Sequence, residues 1–150
     1  MKKLILSTAM AGALIAAPAF ADTVKVGFMT TLSGAAGVVG KQQENAVKLA
    51  MEHLGGKLGG MAGEVIIMDD QRKPDVAKQL ANRFIKSDKV DVVAGVIWSN
   101  LLVAIHQQVT RSGTLLISAN AGPSTVAGKG CHENFFSLSW QNDQTPAAMG

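Results

Sequence analysis

Short apolar runs alternate with amphipathic stretches along most of the chain. Five runs have the length and composition of buried strands, at residues 24–28, 65–68, 92–97, 115–117 and 135–138. Between them, three sets of apolar residues recur with helical spacing: Ala46, Val47, Ala50, Met51 and Leu54; Val76, Ala77, Leu80, Ala81, Phe84 and Ile85; and Leu101, Leu102, Ile105 and Val109. Strands that alternate with helices favour right-handed crossovers. The pattern therefore predicts an α/β fold with a doubly wound, mostly parallel sheet.

Polar turns follow two of these predicted strands. Trp98-Ser99-Asn100 comes directly after residues 92–97, and residues 118–122, which include Asn120, Ala121 and Gly122, come after residues 115–117. In open α/β sheets, ligands bind in the crevice outside the carboxyl ends of the strands. The two turns therefore predict a binding mouth. Ser99 is also placed to cap the helix that follows it.

The amino terminus has the pattern of a cleaved signal peptide. Lys2 and Lys3 precede a largely apolar stretch of 14 residues at 4–17, and Ala19-Phe20-Ala21 supplies the small residues of a cleavage site. A membrane-spanning helix needs about 20 apolar residues, so we expect export to the periplasm and cleavage after Ala21. Losing both lysines lowers the 14 basic residues to 12, against 11 acidic ones. This near-neutral balance gives no support for a nucleic-acid partner.

The 129 residues that follow the predicted cleavage site suffice for one small domain. Cys131 is the single cysteine, so no disulfide can form within these residues. The glycine-rich stretch at residues 55–63 predicts the end of a helix and a flexible turn. Residues 143–150 have the composition of a helix start, which suggests that the printed chain is the first part of a longer protein.

No reactive constellation accompanies the binding mouth. The glycines at residues 34–40 are spaced GxxGxxG rather than GxGxxG, which argues against a dinucleotide cofactor. Asp69 and Asp70 precede a proline-started helix and are interpreted as turn residues. The histidines His53, His106 and His132 have no metal-ligand spacing, and His53 and His106 are expected to be surface or hydrogen-bonded residues. No GxSxG elbow surrounds the serines, so we expect neither an enzyme nor a cofactor or metal site.

The order of these motifs resembles a known family. The segments at residues 27–34, Asp69-Asp70, Trp98-Ser99 and residues 117–123 are together similar to the Leu/Ile/Val-type extracytoplasmic solute-binding proteins of ABC transporters. The resemblance spans residues 24–150 and implies a fold of two doubly wound lobes that close around a small solute. Residues 22–150 would then be the first part of lobe I, and the second lobe would be absent.

The resemblance also implies roles for individual residues. Ser99 would meet the carboxylate of the ligand, and the following contacts would fall on Asn120, Ala121 and Gly122. In branched-chain amino acid binders, Gly122 is replaced by a threonine whose hydroxyl contacts the ligand. The resemblance further implies that a tyrosine of those binders falls on Val39, and their two half-cystines on Arg72 and Trp98.

These departures favour a ligand other than an aliphatic amino acid. Trp98, Ser99 and Asn100 are similar to members associated with aromatic carboxylates, and an indole offers stacking area beside the amide of Asn120. We therefore expect an aromatic acid, with a branched-chain amino acid or an amide as the alternative ligand. The resemblance implies a monomer that delivers the solute to ABC permease subunits without a cofactor. A sensory domain of a receptor or regulator, and an exported α/β hydrolase, are the alternative functions.

Overall fold

The computed structural model describes residues 23–150, so the predicted signal peptide at residues 1–21 lies outside the described residues. The strands are β1 (Thr23–Thr30), β2 (Lys57–Leu58), β3 (Met61–Asp69), β4 (Val92–Gly95), β5 (Leu115–Ser118) and β6 (Phe135–Ser137). The helices are α1 (Gly37–His53), α2 (Pro74–Arg83), α3 (Ser99–Thr110) and α4 (Gln144–Met149). One π-helical turn, Phe84–Asp88, extends α2, and two 3-10 turns follow β5 at Ser124–Val126 and Gly128–Gly130.

All five predicted strands belong to one six-stranded sheet with the order β2-β3-β1-β4-β5-β6. Strand β1 pairs in parallel with β3 on one side and with β4 on the other, so Val26 lies between Val65 and Val92. The chain therefore winds outward from β1 in both directions, and only the β2–β3 pair is antiparallel. The predicted doubly wound, mostly parallel α/β fold is confirmed.

Strands β4 and β6 end earlier than predicted. Strand β4 stops at Gly95, because Val96 adopts a left-handed φ of 56° and cannot continue an extended strand. The amide of Val96 donates to the carbonyl oxygen of Met29 at 2.7 Å, which holds this bend over β1. Strand β6 ends at Ser137, and Leu138 is 73% exposed. Residues 96–97 are apolar because they are buried under the turn, although they are not part of the sheet.

The glycine-rich stretch at residues 55–63 is not the flexible turn that its composition predicts. Helix α1 does end there, but the chain then forms the hairpin β2–β3, in which Leu58 pairs with Met61. Gly59 and Gly60 form its two-residue turn with φ values of 59° and 86°. Two consecutive positive φ values are what a tight hairpin turn requires, and glycine adopts them without steric cost.

The core lies between the sheet and the helices α2 and α3. The apolar faces predicted for these two helices are confirmed: Ala77, Ala81, Phe84 and the four α3 residues Leu101, Leu102, Ile105 and Val109 have no exposed surface. They pack against Met29, Val93 and Leu116 of the sheet. No helix within residues 23–150 is long and apolar enough to cross a membrane.

Helix α1 departs from its predicted burial. Right-handed crossovers place it on the sheet face opposite α2 and α3. Only Gly37 and Gly40 of α1 are buried, whereas Ala46, Ala50 and Leu54 of its predicted apolar face are exposed. Val47 and Met51 line a cleft of about 290 Å³ above the β3 residues Val65 and Ile67. The periodicity identified the face of α1 that points to the sheet, but that face is incompletely covered.

Candidate ligand-binding site

The turn between β4 and α3 presents the first predicted group of site residues. Trp98, not Ser99, is the residue that caps α3, since its carbonyl oxygen accepts from the amides of Leu101 and Leu102 at 3.0 Å. Ser99 is the first helical residue, and its hydroxyl accepts from Asn142 Nδ2 at 3.0 Å. The prediction that Ser99 caps the helix is therefore wrong by one residue.

Ser99 and Asn100 occupy the first turn of α3. Amides in the first turn of a helix have no acceptor within the helix, and they carry the positive end of its dipole. Ser99 is half-buried and Asn100 is exposed at this end of the sheet. The turn therefore offers a hydroxyl group and helical amides to a negatively charged or polar ligand.

The loop after β5 is fastened to the loop after β4. Ala121 donates its amide to the carbonyl oxygen of Val96 at 3.3 Å, and Asn120 Nδ2 donates to the carbonyl oxygen of Ile97 at 2.9 Å. Ser118 Oγ donates to the carbonyl oxygen of Ala121 at 2.5 Å inside the loop. Because Asn120 uses its amide nitrogen to hold the two loops together, its oxygen Oδ1 is the atom that suits a ligand, as an acceptor for a hydroxyl group.

Gly122 is required by a close approach of the chain that follows β6. A Cβ atom at Gly122 would lie 2.1 Å from the carbonyl oxygen of Trp140 and 3.4 Å from Gln141 Cα. The Gly122 carbonyl oxygen accepts from the amide of Asn142 at 2.8 Å. A threonine at this position, which the resemblance implies for branched-chain amino acid binders, would therefore force the backbone of residues 140–142 to move.

A hydrogen-bond chain joins the ends of β1, β3 and β4. Trp98 Nε1 donates to Thr31 Oγ1 at 2.9 Å, and Thr31 Oγ1 donates to Asp70 Oδ1 at 2.5 Å. Asp70 has no exposed surface, and within residues 23–150 its Oδ2 atom has no partner. Burial raises the pKa of the Asp70 carboxyl, and bonds from Thr31 and the Arg72 amide oppose that rise only in part. The indole of Trp98 is thereby fixed to a buried acidic group.

Asp69 has the structural role that the sequence predicts. Its Oδ1 atom accepts from the amides of Leu32 and Gln71, both at 2.8 Å. Burial acts to raise the pKa of Asp69, but the bonds from Leu32, Ser33 and Gln71 prevail and lower it. Asp69 therefore stays ionised and fastens the loop after β1 to the loop after β3.

Arg72 and Trp98 are in contact. The guanidinium carbon of Arg72 lies 4.1 Å from the centroid of the Trp98 ring system, a cation–π geometry. These are the two positions at which the resemblance implies half-cystines in branched-chain amino acid binders. A cation stacked on an indole thus joins the two loops here. Val39, where the resemblance implies a tyrosine in those binders, is 37% exposed on α1.

A cleft of about 240 Å³ adjoins the candidate site on the β5–β6 side. Gly122, Pro123 and Phe135 line its apolar side, and Ser137, Gln141 and Gln144 line its polar side. The cleft begins at the same glycine that ends the loop after β5. The edge of the sheet is therefore indented beside Asn120 and Gly122 rather than flat.

His106 contradicts the expectation that the histidines are surface or hydrogen-bonded residues. Its side chain is 6% exposed, its ring meets Phe135 edge-on at 5.0 Å, and its Nε2 atom has no partner within residues 23–150. Burial lowers the pKa of His106, and the neighbouring His132 lowers it further. No three His, Cys, Asp or Glu side chains of the described chain are grouped so that they could hold a metal ion.

The structure brings Trp98, Ser99, Asn120, Ala121 and Gly122 to one edge of the sheet, with Asn100 at its rim. Sequence reasoning missed three further residues at this edge: Thr31, Arg72 as a stacked cation, and Asn142. Thr31 directly follows β1, so the rule that ligands bind at strand ends could have identified it. No local pattern marks Asn142 as a partner of Ser99.

Comparison with known proteins identifies the class to which this lobe belongs. A family model described as periplasmic binding protein matches residues 23–150, and the chain belongs to that family. The curated Leu/Ile/Val-binding protein homolog 6 of Brucella abortus is 28% identical over 149 residues, which are 99% of this chain and 38% of that protein. The chain therefore spans about two fifths of the length of this relative.

Two solved structures show the same fold with different ligands. A solute-binding protein of an ABC transporter from Rhodopseudomonas palustris, in complex with 3,4-dihydroxybenzoic acid, is 32% identical with a TM-score of 0.72, over 79% of this chain and 32% of that one. The substrate-binding protein of a branched-chain amino acid transporter from Streptococcus pneumoniae, in complex with isoleucine, is 25% identical with a TM-score of 0.71, over 80% and 34%. The similar proteins thus include binders of an aromatic acid and of an amino acid.

Proposed function

We propose that this chain is the amino-terminal part of lobe I of a periplasmic solute-binding protein that captures an aromatic carboxylate for an ABC transporter. The signal peptide at residues 1–21 would direct it to the periplasm, and residues 22–150 would form the first half of the ligand site. A second lobe would close over the solute, and permease subunits would receive it from the monomeric closed form. The protein performs no chemistry in this proposal.

The geometry of the strand edge carries the proposal. Ser99 and the first amides of α3 offer donors for a carboxylate, while Asn120 Oδ1 in the adjoining loop offers an acceptor for a hydroxyl group. A hydroxybenzoate carries both groups on one rigid ring. The relative from Rhodopseudomonas palustris that binds 3,4-dihydroxybenzoic acid supports this choice of ligand.

Gly122 argues against the branched-chain amino acid alternative. The backbone of Trp140 occupies the space of a threonine side chain at this position. The hydroxyl group that the resemblance implies for amino acid binders is therefore missing, and nothing at Gly122 replaces it except the backbone amide.

A thermal-shift screen of the complete mature protein tests the proposal. The ligands are benzoate, hydroxybenzoates, cinnamates and the twenty amino acids, since a ligand that binds only the native state raises its melting temperature. We expect a shift with aromatic acids alone. A shift with branched-chain amino acids alone would refute the proposed ligand, and no shift with either set would refute the proposed function.

The Ser99→Ala variant tests directly whether the Ser99 hydroxyl binds the carboxylate. We expect it to weaken aromatic carboxylate binding by about 1 to 3 kcal/mol, the cost of losing a hydrogen bond to a charged group. Ser87→Ala is the matched control, because Ser87 is an exposed serine in the turn between α2 and β4, away from the carboxyl ends of the strands. Unchanged affinity of the Ser99→Ala variant in isothermal titration would remove Ser99 from the site.

A further inference from the structure

Arg72 presents a positive charge at the candidate site that no carboxylate neutralises. Its guanidinium carbon lies 4.1 Å from the centroid of the Trp98 ring system, and the residue is exposed. Among the ion pairs within residues 23–150, none involves Arg72. The guanidinium group therefore retains N–H donors for a partner outside the described chain.

Hydrogen bonds fix the backbone under Arg72. The amide of Arg72 donates to Asp70 Oδ1 and the amide of Gln71 donates to Asp69 Oδ1, both at 2.8 Å. Gln71 and Arg72 have φ values of 52° and 57°, left-handed conformations that are costly for residues with a Cβ atom. The two aspartates hold the loop in this conformation, so the direction in which Arg72 leaves the backbone is set.

The indole under Arg72 is fixed as well. Trp98 Nε1 donates to Thr31 Oγ1 at 2.9 Å, and Thr31 in turn donates to the buried Asp70. The cation therefore rests on a platform that cannot turn away without breaking a hydrogen bond. An arginine that is ordered before the ligand arrives loses less side-chain entropy on binding than a free surface arginine does.

We infer that Arg72, held on the Trp98 indole, binds the carboxylate of the solute together with Ser99 and selects anionic ligands over neutral ones. Ser99 directly follows Trp98 in the chain, and Trp98 is the residue that Arg72 contacts, so both groups belong to the same turn between β4 and α3 or rest on it. A planar guanidinium group binds a carboxylate through two parallel N–H bonds, which an uncharged amide cannot accept as strongly. This inference rests on the proposed function and assigns its anion specificity to one side chain.

The inference also changes the role of Trp98. Arg72 covers one face of the indole, so that face is closed to a ligand ring. Trp98 acts there as a positioning residue for the cation rather than as a stacking surface. A partner other than the solute would be an acidic side chain of the second lobe, and the test separates these two partners.

The test compares a carboxylate with its neutral amide in the complete mature protein. Isothermal titration measures benzoate against benzamide, and isoleucine against isoleucinamide, for the wild type, Arg72→Gln and Arg72→Lys. Lys73→Gln is the matched control, because Lys73 is an exposed cation one residue away that contacts Gln71 rather than Trp98. We expect Arg72→Gln to weaken carboxylate binding about 10- to 100-fold and amide binding less than about 3-fold, with Arg72→Lys between them.

Each outcome decides one claim. Equal carboxylate-to-amide ratios in the wild type and in Arg72→Gln would overturn the role of Arg72 while leaving the proposed function intact. A lower melting temperature of ligand-free Arg72→Gln with an unchanged ratio would give the arginine a structural role, through Trp98 or the second lobe, and no role in binding the solute. If only isoleucine binds and Arg72→Gln abolishes its preference over the amide, the aromatic ligand is wrong and the role of Arg72 stands. A wild type that binds no carboxylate overturns both.

Discussion

Replacing Thr31 by valine removes the atom that joins Trp98 to Asp70 and nearly preserves the shape of the side chain. Thr31 Oγ1 accepts from Trp98 Nε1 and donates to Asp70 Oδ1, and Thr31 itself has no exposed surface. The valine variant offers a methyl group to both partners. We expect a loss of folding stability and a looser Trp98 indole.

The magnitude follows from the two lost bonds. The bond to the buried Asp70 involves a charged acceptor and contributes about 1.5 to 3 kcal/mol, and the bond from the half-buried Trp98 contributes about 0.5 to 1.5 kcal/mol. The two share one hydroxyl group, so they are not independent. We expect Thr31→Val to lower the free energy of unfolding by about 2 to 4 kcal/mol at neutral pH.

The pH dependence gives the prediction a second signature. Burial already raises the pKa of Asp70, and loss of the Thr31 bond raises it further. A carboxyl whose pKa is higher in the folded state gains relative stability as the pH falls through that pKa, because the native state then takes up the proton. The destabilisation by Thr31→Val should therefore be largest near neutral pH and should shrink in acid.

Urea unfolding of the ligand-free complete protein, followed by circular dichroism from neutral to acidic pH, measures both signatures. Thr31→Ser is the matched control, because serine keeps the hydroxyl group and loses only a methyl group, at a cost of about 1 kcal/mol. Thr31→Val in an Asp70→Asn background should cost less than it does alone. If the valine and serine variants are equally stable at every pH, the hydrogen-bond chain carries no stability and the reasoning fails.

Two further predictions concern His106 and Gly122. Because the pKa of His106 is lowered in the folded state, the protein should lose stability as the pH falls from 6.5 towards that lowered pKa, by at most about 1.4 kcal/mol per pH unit. Denaturation at several pH values measures this loss. The His106→Gln variant should not show the loss, whereas the control variant at the exposed His53, His53→Gln, should show it. Gly122→Thr should lower stability by about 1 to 3 kcal/mol, because its Cβ meets the Trp140 carbonyl oxygen, and should not create isoleucine binding. A Gly122→Thr variant that binds isoleucine at an unchanged melting temperature would contradict the packing at Gly122.

The position of the candidate site was predictable in outline because it depends on where strands end. Trp98, Ser99 and Asn120 were found by combining apolar runs with the rule for parallel sheets. Their detailed roles were not predictable. Whether Ser99 caps α3 depends on a shift of one residue at the helix start, and the use of the Asn120 amide nitrogen depends on Ile97 in a loop 23 residues away.

Helix α1 shows a second limit of pattern reasoning. Its apolar spacing is as regular as that of α3, yet the faces of the two helices differ in burial. Periodicity reports which face of a helix points towards the sheet, and it carries no information about how many neighbouring elements cover that face. The difference between α1 and α3 is decided by the elements that pack beside them.

The alternation of strands and helices, the parallel sheet and the turns at the candidate site could be predicted from the sequence, because each depends on local periodicity and on the handedness of crossovers. Three contacts could be seen only in the packed fold: Arg72 lies on Trp98, Thr31 joins Trp98 to Asp70, and the Trp140 backbone lies against Gly122. These contacts join residues far apart in the chain. They depend on which strand ends become neighbours in the sheet, a property of the whole packed fold that no local pattern of residues encodes.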